Sequence, residues 1–204
     1  MNKGRWPYYT PGIPDELFRR GKVPLTKEEI RILTLSKARL APGQTVYDVG
    51  SGTGSLTVEA ARLVAPGIVY AVEKDPEALD LTRANVASFG LENVAIVAGK
   101  APEVLADLPP ADRIFIGGSA GGLRAILEHC FQRLRPRGII VINAITLDTL
   151  WESVAYGREK GCGVSAVAVN VARLEKLGGR HLFRALNPVY IVQLLAGEEE
   201  NYDR

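Results

Sequence analysis

Cysteine is scarce in the 204-residue sequence: Cys130 and Cys162 are the only two, and neither has a second Cys or a His at ligand spacing. A tetrahedral zinc site needs several such ligands and a disulfide scaffold needs a patterned set, so neither is expected. Long apolar runs are also missing. The longest, from Gly138 to Ile145, falls well short of the roughly 18 residues of a membrane-spanning helix and suits a buried strand. The opening residues Met1-Asn2-Lys3-Gly4-Arg5-Trp6-Pro7 lack the apolar core of a secretory signal. Two reduced thiols and no leader therefore predict a cytoplasmic chain that does not enter membranes. Neither charge sign dominates, with 25 Lys and Arg against 23 Asp and Glu. Aromatic residues make up only 7% and no basic stripe is interleaved with them, so no nucleic-acid partner is expected.

What remains is enough for one domain. Hydrophobic residues are 47% of the chain and charged ones 24%, the composition of an ordinary globular protein. A chain of this size buries roughly 70% of its unfolded surface without staples. The near-balance of charge conceals an asymmetry. Residues 1–39 hold nine basic and four acidic side chains, a surplus of five, which leaves sixteen basic against nineteen acidic for the rest. A basic leader on a mildly acidic body can attract an anionic substrate or can simply be a solvated arm.

The pattern divides into an arm, residues 1–25, and a single domain, residues 26–204. Pro7, Pro11, Pro14 and Pro24 keep the arm extended, with a short turn of helix near residues 15–19. Thr26-Lys27-Glu28-Glu29 fits a capping box with Thr26 as the cap. A helix of about 13 residues should follow, with Ile30, Leu33 and Leu40 inward and Pro42-Gly43 as the stop. From Gln44 onward short apolar strands alternate with helical stretches. The strands are Thr45–Val49, Ile68–Glu73, Val94–Ala98, 113–116 and 139–144; the helices are 55–65, 76–89, 102–107, 121–134 and 147–160. Such alternation predicts an α/β fold with a mostly parallel sheet covered on both faces. The end differs: 163–173 and 186–195 read as an antiparallel strand pair that finishes the sheet, with a break at Gly178-Gly179. The acidic tail Glu198-Glu199-Glu200 is expected to fray.

The strongest local signal is Asp48-Val49-Gly50-Ser51-Gly52-Thr53-Gly54-Ser55, which ends the first strand and opens a helix. Glycines there let the backbone turn sharply and let a ligand lie against it. Ser55 spoils a dinucleotide fingerprint, and no Gly-Lys-Ser/Thr makes a P-loop. Glu73 ends the second strand, where its carboxylate can accept both hydroxyls of a ribose. Gly99-Lys100-Ala101 follows the third strand, where an adenine can rest on small residues. Three such strand ends form one crevice at the carboxyl edge of a parallel sheet and predict a nucleoside-type cofactor.

These features resemble the class I S-adenosylmethionine (SAM)-dependent methyltransferases over residues 26–195, a Rossmann-like fold of seven strands. The resemblance implies SAM as cofactor, with Gly50, Ser51, Gly52, Thr53 and Gly54 beside its methionine part, Glu73 on the ribose and Ala101 at the adenine. Asp48 would hold the turn or a cofactor-linked water. Members acting on exocyclic amines usually carry Asn/Asp-Pro-Pro-aromatic after the fourth strand, whereas this chain has Gly117-Gly118-Ser119-Ala120-Gly121-Gly122. That loop is open and poor in side chains, so a large flat substrate can approach.

Further stretches narrow the family: Gly12-Ile13-Pro14-Asp15-Glu16-Leu17-Phe18, Val23-Pro24-Leu25-Thr26, Ala144-Ile145-Thr146-Leu147-Asp148-Thr149, Val169-Asn170-Val171-Ala172-Arg173 and Leu186-Asn187-Pro188-Val189. Together they resemble the decarboxylating methyltransferases that act on carbon 15 of cobalt-precorrin-6B in cobalamin biosynthesis. The resemblance implies methylation of a tetrapyrrole with loss of a ring acetate carboxyl. It also implies a homotetramer, and functional pairing with a separate carbon-5 precorrin methyltransferase. Thr26 joins the cofactor contacts on the same ground. The family commonly has an acid where this chain has Lys100, and often Gly in place of Ala120. Lysine cannot accept from an adenine amino group, so Lys100 is left out of the site.

A corrin precursor carries many carboxylates and wants a basic rim, which Arg19, Arg20 and Lys22 in the arm and Arg173, Arg180 and Arg184 near the end can supply. Substrate contacts are expected from Arg19, Ser119, Asn143, Thr146 and Arg173. No proton donor or metal ligand is assigned; His129 reads as structural and His181 as a candidate acid. Two other functions fit the same cofactor motif: an RNA methyltransferase and a non-catalytic SAM-binding partner subunit. A dehydrogenase is disfavoured by Ser55 and the terminal strand pair.

Overall fold

In the computed structural model, residues 6–119 and 121–197 are described. The acidic tail, Ala120 and the first two cations of the leader, Lys3 and Arg5, lie outside them. Apolar strands and intervening helices assemble as the sequence predicts, around one sheet. The strands are β1 (Thr45–Val49), β2 (Ile68–Glu73), β3 (Val94–Ala98), β4 (Ala111–Ile116), β5 (Leu134–Ala144), β6 (Gly163–Val169), β7 (Ala172–Leu177), β8 (Arg180–Ala185) and β9 (Val189–Leu195). The helices are α1 (Glu28–Ala38), α2 (Ser55–Val64), α3 (Pro76–Ser88), α4 (Leu123–Arg133) and α5 (Leu147–Glu159). Seven strands form the sheet in the order β3-β2-β1-β4-β5-β9-β6. β3 to β5 pair in parallel. β9 runs against both its neighbours, β5 and β6.

Alternation along β1 shows why both faces are covered. Val46 packs into one apolar cluster with Leu35, Leu56 and Val69. Its neighbour Tyr47 points the other way, into a cluster with Ile114, Leu127 and Ile140. Each fully buried side chain of this kind contributes roughly 1.5–3 kcal/mol. Among the described residues, no helix is long and apolar enough to cross a membrane.

Several expectations need correction. Lys27, not Thr26, is the N-cap of α1, and no side chain closes that cap. The inward face of α1 is Ile30, Arg31, Thr34, Leu35 and Ala38, while Leu33 is exposed. The helix expected over 102–107 is a single 3-10 turn, Glu103–Leu105, because Pro102 and the Pro109-Pro110 pair leave little room for more. The strand expected over 163–173 stops at Val169, and that expected over 186–195 starts at Val189. Between them β7 and β8 form a separate hairpin outside the sheet. Gly178 and Gly179, with φ of 54° and 81°, make its turn.

The arm does have its expected turn, a 3-10 segment Asp15–Leu17. It lies against the body through Ile13, Phe18 and Leu25, which pack with Val58, Val86 and Phe89.

Candidate functional site

The carboxyl ends of β1, β2, β3, β4 and β5 open onto a cavity of about 430 Å³, in the range of small-molecule sites. Its floor is the glycine loop. Gly50, Gly52 and Gly54 have φ of 76°, 57° and 74°, conformations that residues with a side chain rarely adopt. A Cβ on Gly50 would also stand 3.0 Å from the backbone nitrogen of Gly118, and one on Gly54 3.0 Å from Cα of Thr82. The loop is therefore pressed between the β4 loop and α3. Gly50 and Ser51 N–H donate to the Val72 carbonyl at 2.9 and 3.1 Å, and the Thr82 hydroxyl donates to the Gly52 carbonyl at 2.9 Å.

Glu73 stands at one end. Its Oε1 accepts from the N–H groups of Lys74 and Asp75 at 2.8 and 2.9 Å. Oε2 accepts from Gly52 N–H at 3.0 Å, and the half-buried carboxylate lines the cavity. Three backbone donors fix the group and leave acceptor capacity on its open edge, which suits a pair of vicinal hydroxyls.

Asp48 lies beneath the loop, fully buried, accepting from Thr57 Oγ1 at 2.5 Å. Burial pushes its carboxyl up to about 6, the nearby Glu73 charge adds to this, and the Thr57 hydrogen bond opposes it. An acid raised in the folded state stays protonated where the unfolded chain has already ionised. Stability should therefore fall as pH rises from 3.8 to about 6 through this group and then level. The Asp48→Asn variant is expected to lack that slope when melting temperature is followed against pH. An unchanged slope would remove the group from the account.

The roof is the segment Val23, Pro24, Leu25, Thr26 and Lys27, and Arg31 holds it. The guanidinium is wholly buried. Nη1 donates to Asp15 Oδ1 at 2.7 Å and Nε to Glu59 Oε1 at 2.8 Å. Further donations reach the carbonyls of Thr26 and Ile13. Glu59 accepts in turn from Gly12 and Ile13 N–H at 2.6 and 3.3 Å. This knot ties the arm, α1 and α2 together directly behind the roof.

Of the residues expected at the cofactor, Thr26, Gly50, Ser51, Gly52, Thr53, Glu73 and Ala101 all line the cavity, whereas Asp48 and Gly54 support it from below. Ser119 and Asn143 line its other end. Asn143 is bonded through its side chain to the Thr34 hydroxyl at 2.9 Å. The remaining substrate candidates lie elsewhere. Arg19 is exposed, and its backbone N–H donates to Asn85 at 2.8 Å. Thr146 caps α5 by accepting from Thr149 N–H. Arg173 is engaged by Glu29 at 2.6 and 2.9 Å and by Asp15 at 3.0 Å. Those bonds raise its affinity for the proton, the Glu29 contact contributing most.

Lys100, excluded on sequence grounds, does line the cavity, as do Lys27 and Lys74. His129 is bonded to the Ala125 carbonyl in α4 at 2.9 Å, and His181 lies on the exposed hairpin. The Arg31 knot was missed from sequence. The available signal was a charge at each of two inward helical positions, Arg31 beside Ile30 and Glu59 between Val58 and Ala60.

Comparison with known proteins fits this arrangement. The family described as precorrin methyltransferase domain matches residues 16–195. A "Probable cobalt-precorrin-6B C(15)-methyltransferase (decarboxylating)" of Pyrobaculum calidifontis is 48% identical over 194 residues, 94% of this chain and 99% of the relative. The Salmonella typhimurium protein named cobalt-precorrin-6B C(15)-methyltransferase (decarboxylating) is 38% identical over the same shares. A solved structure of precorrin-6y C5,15-methyltransferase from Geobacter metallireducens has a TM-score of 0.87 at 41% identity, covering 92% of this chain and 100% of that one. Family match, identity and shared architecture agree: the chain belongs to the precorrin methyltransferase family.

Proposed function

We propose that the chain is a SAM-dependent C-methyltransferase that methylates carbon 15 of cobalt-precorrin-6B and releases a ring acetate carboxyl as carbon dioxide in cobalamin biosynthesis. The observation that carries this reading is the cavity itself: a fixed carboxylate and a glycine cradle at one end, and a loop without side chains, Gly117-Gly118, at the other. The cradle fits the cofactor, because Gly50 and Gly52 line the cavity with backbone alone and let a ligand lie against it. SAM, when bound, supplies an activated methyl group. Glu73 takes the ribose hydroxyls, the backbone from Gly50 to Thr53, held from below by Gly54, borders the methionine part, and Ala101 borders the adenine. Val23, Leu25, Ile30, Ile126 and Val189 make much of the remaining wall apolar. Alignment in such a dry wall is the main requirement for methyl displacement at an electron-rich carbon.

The named relatives, matched over 99% of their length, support the substrate. The test is transfer from methyl-labelled SAM in the presence of a cobalt-precorrin-6B preparation or of RNA. Label in the tetrapyrrole is expected; label in RNA alone, or nowhere, contradicts the reading.

We further propose a cytoplasmic homotetramer working beside a separate carbon-5 methyltransferase. The β7–β8 hairpin supports the assembly. Leu174, Leu177, Leu182 and Phe183 are 52–74% exposed on it, and a lone two-stranded ribbon is marginal in water. A second copy would cover it. Sedimentation velocity should give a tetramer, and a monomer would contradict it.

A further inference from the structure

We propose that Ile145, Leu147 and Trp151 form the platform on which the flat conjugated face of the methyl-accepting macrocycle rests. The inference deepens the proposed function and rests on it. α5 already has a core-facing side, with Ser153, Tyr156 and Gly157 buried and Leu150 and Val154 packed against the core. Leu147 and Trp151, one helical turn apart, lie beyond that side and are 68% and 71% exposed. Ile145, 75% exposed, lines the cavity two residues earlier. Three exposed apolar side chains thus fall within seven residues, the first of them in the cavity lining and the other two on the helix that follows. Scattered surface hydrophobics need no explanation, but a cluster in sequence that starts in the lining of a ligand cavity does.

Size and position select the occupant. A cavity of about 430 Å³ is in the lower part of the range for single ligands. The nucleoside cofactor fills it, so a larger second reactant has to lie across the mouth. Glu73 and Ala101 mark the adenosine end, which leaves the acceptor end to Gly117, Gly118, Ser119, Asn143 and Ile145. Gly117 and Gly118 are exposed and present no side chain to block entry. The platform begins at that same end.

Chemistry agrees. Trp offers a wide rigid face for stacking on a conjugated ring. Lys27, in the roof, offers a cation to the macrocycle's peripheral carboxylates, whereas Lys74 and Lys100 flank Glu73 and Ala101 at the adenosine end, and Glu73 is the sole carboxylate of the lining among the described residues. None of these lysines has a carboxylate partner among the described residues.

The test uses the two tryptophans, Trp6 and Trp151. In a Trp6→Phe background, titration with uroporphyrin, a stable polycarboxylic tetrapyrrole, should quench Trp151 saturably in the presence of S-adenosylhomocysteine. Leu147→Ala and Trp151→Ala should each raise KM for cobalt-precorrin-6B about tenfold, with kcat and cofactor affinity near wild type. Both side chains are exposed, so neither substitution threatens folding. Unchanged KM in both variants, with normal wild-type turnover, overturns the platform alone. Unchanged KM together with dissociation of the assembly in Trp151→Ala shows that a second copy covers the surface, and also overturns it. A wild-type protein that transfers no methyl to the macrocycle defeats the proposed function, and the platform falls with it.

Discussion

Replacing Glu73 with Ala is expected to weaken binding of S-adenosylhomocysteine by about 2–4 kcal/mol, or roughly 30- to 1,000-fold. Two hydroxyls bonded to one carboxylate are charge-assisted contacts, each stronger than a neutral pair. The carboxylate is also pre-placed by the N–H groups of Gly52, Lys74 and Asp75, so little ordering cost is left for the ligand. Truncation removes the acceptor and leaves those three donors to water. Glu73→Gln should lose less, about tenfold, because the amide oxygen can replace Oε1. Its NH₂ would then face the Gly52 N–H, donor against donor. Calorimetry reads both values. Wild-type affinity in Glu73→Ala would remove the ribose assignment.

The second large effect concerns folding. Arg31→Met should destabilise the protein by about 3–5 kcal/mol, the usual cost of removing one partner from a buried ion pair. Asp15 and Glu59 would keep their burial and lose the cation between them. The roof carbonyl of Thr26 and the arm carbonyl of Ile13 would lose a donor as well. Arg31→Lys keeps the charge but lacks the fork that reaches all four partners, so it should recover only part.

The pH dependence separates the ion pair from simple packing. Burial alone would raise the Asp15 carboxyl, but hydrogen bonds and charge from Arg31 and Arg173 outweigh it and hold the group below its ordinary 3.8. An acid lowered in the folded state contributes stability above 3.8 that is lost as pH falls through the folded value. In Arg31→Met much of that contribution is already gone. The gap between wild type and variant, measured by urea unfolding, should therefore narrow on acidification below pH 4. A gap that stays constant with pH would assign the effect to lost packing against Phe18, over whose ring the guanidinium sits at 4.8 Å.

Much of this was legible in the sequence where local rules and tertiary demands coincide. β1, β2 and β3 have the predicted bounds because each is a short, mainly apolar run and their ends are marked by Gly50, Glu73 and Gly99. The glycine loop was equally clear, since its positive φ values call for glycine at each of three positions. Legibility failed where one side chain serves a distant partner. Arg173 reads as a cation for a substrate carboxylate, yet Glu29, far away in sequence, takes it. Arg31 breaks the apolar pattern of α1, and only folding brings Asp15 and Glu59 to meet it. Thr26 looked like a cap because Glu29 follows at the right spacing. The chain instead uses the Thr26 carbonyl as an acceptor for Arg31, and the helix begins one residue later. The hairpin was hidden for another reason: its strands bury little within the chain, so no alternation of apolar and polar residues marks a core-facing side.

The central claim is that one cavity both methylates and decarboxylates a tetrapyrrole. The most direct test is the mass of the product formed when the protein is incubated with SAM and cobalt-precorrin-6B. The account predicts a macrocycle heavier by one methylene and lighter by one carbon dioxide, absent when Glu73→Ala is assayed at limiting SAM. A product that gains the methyl but keeps its carboxyl, or an unaltered macrocycle, would contradict it.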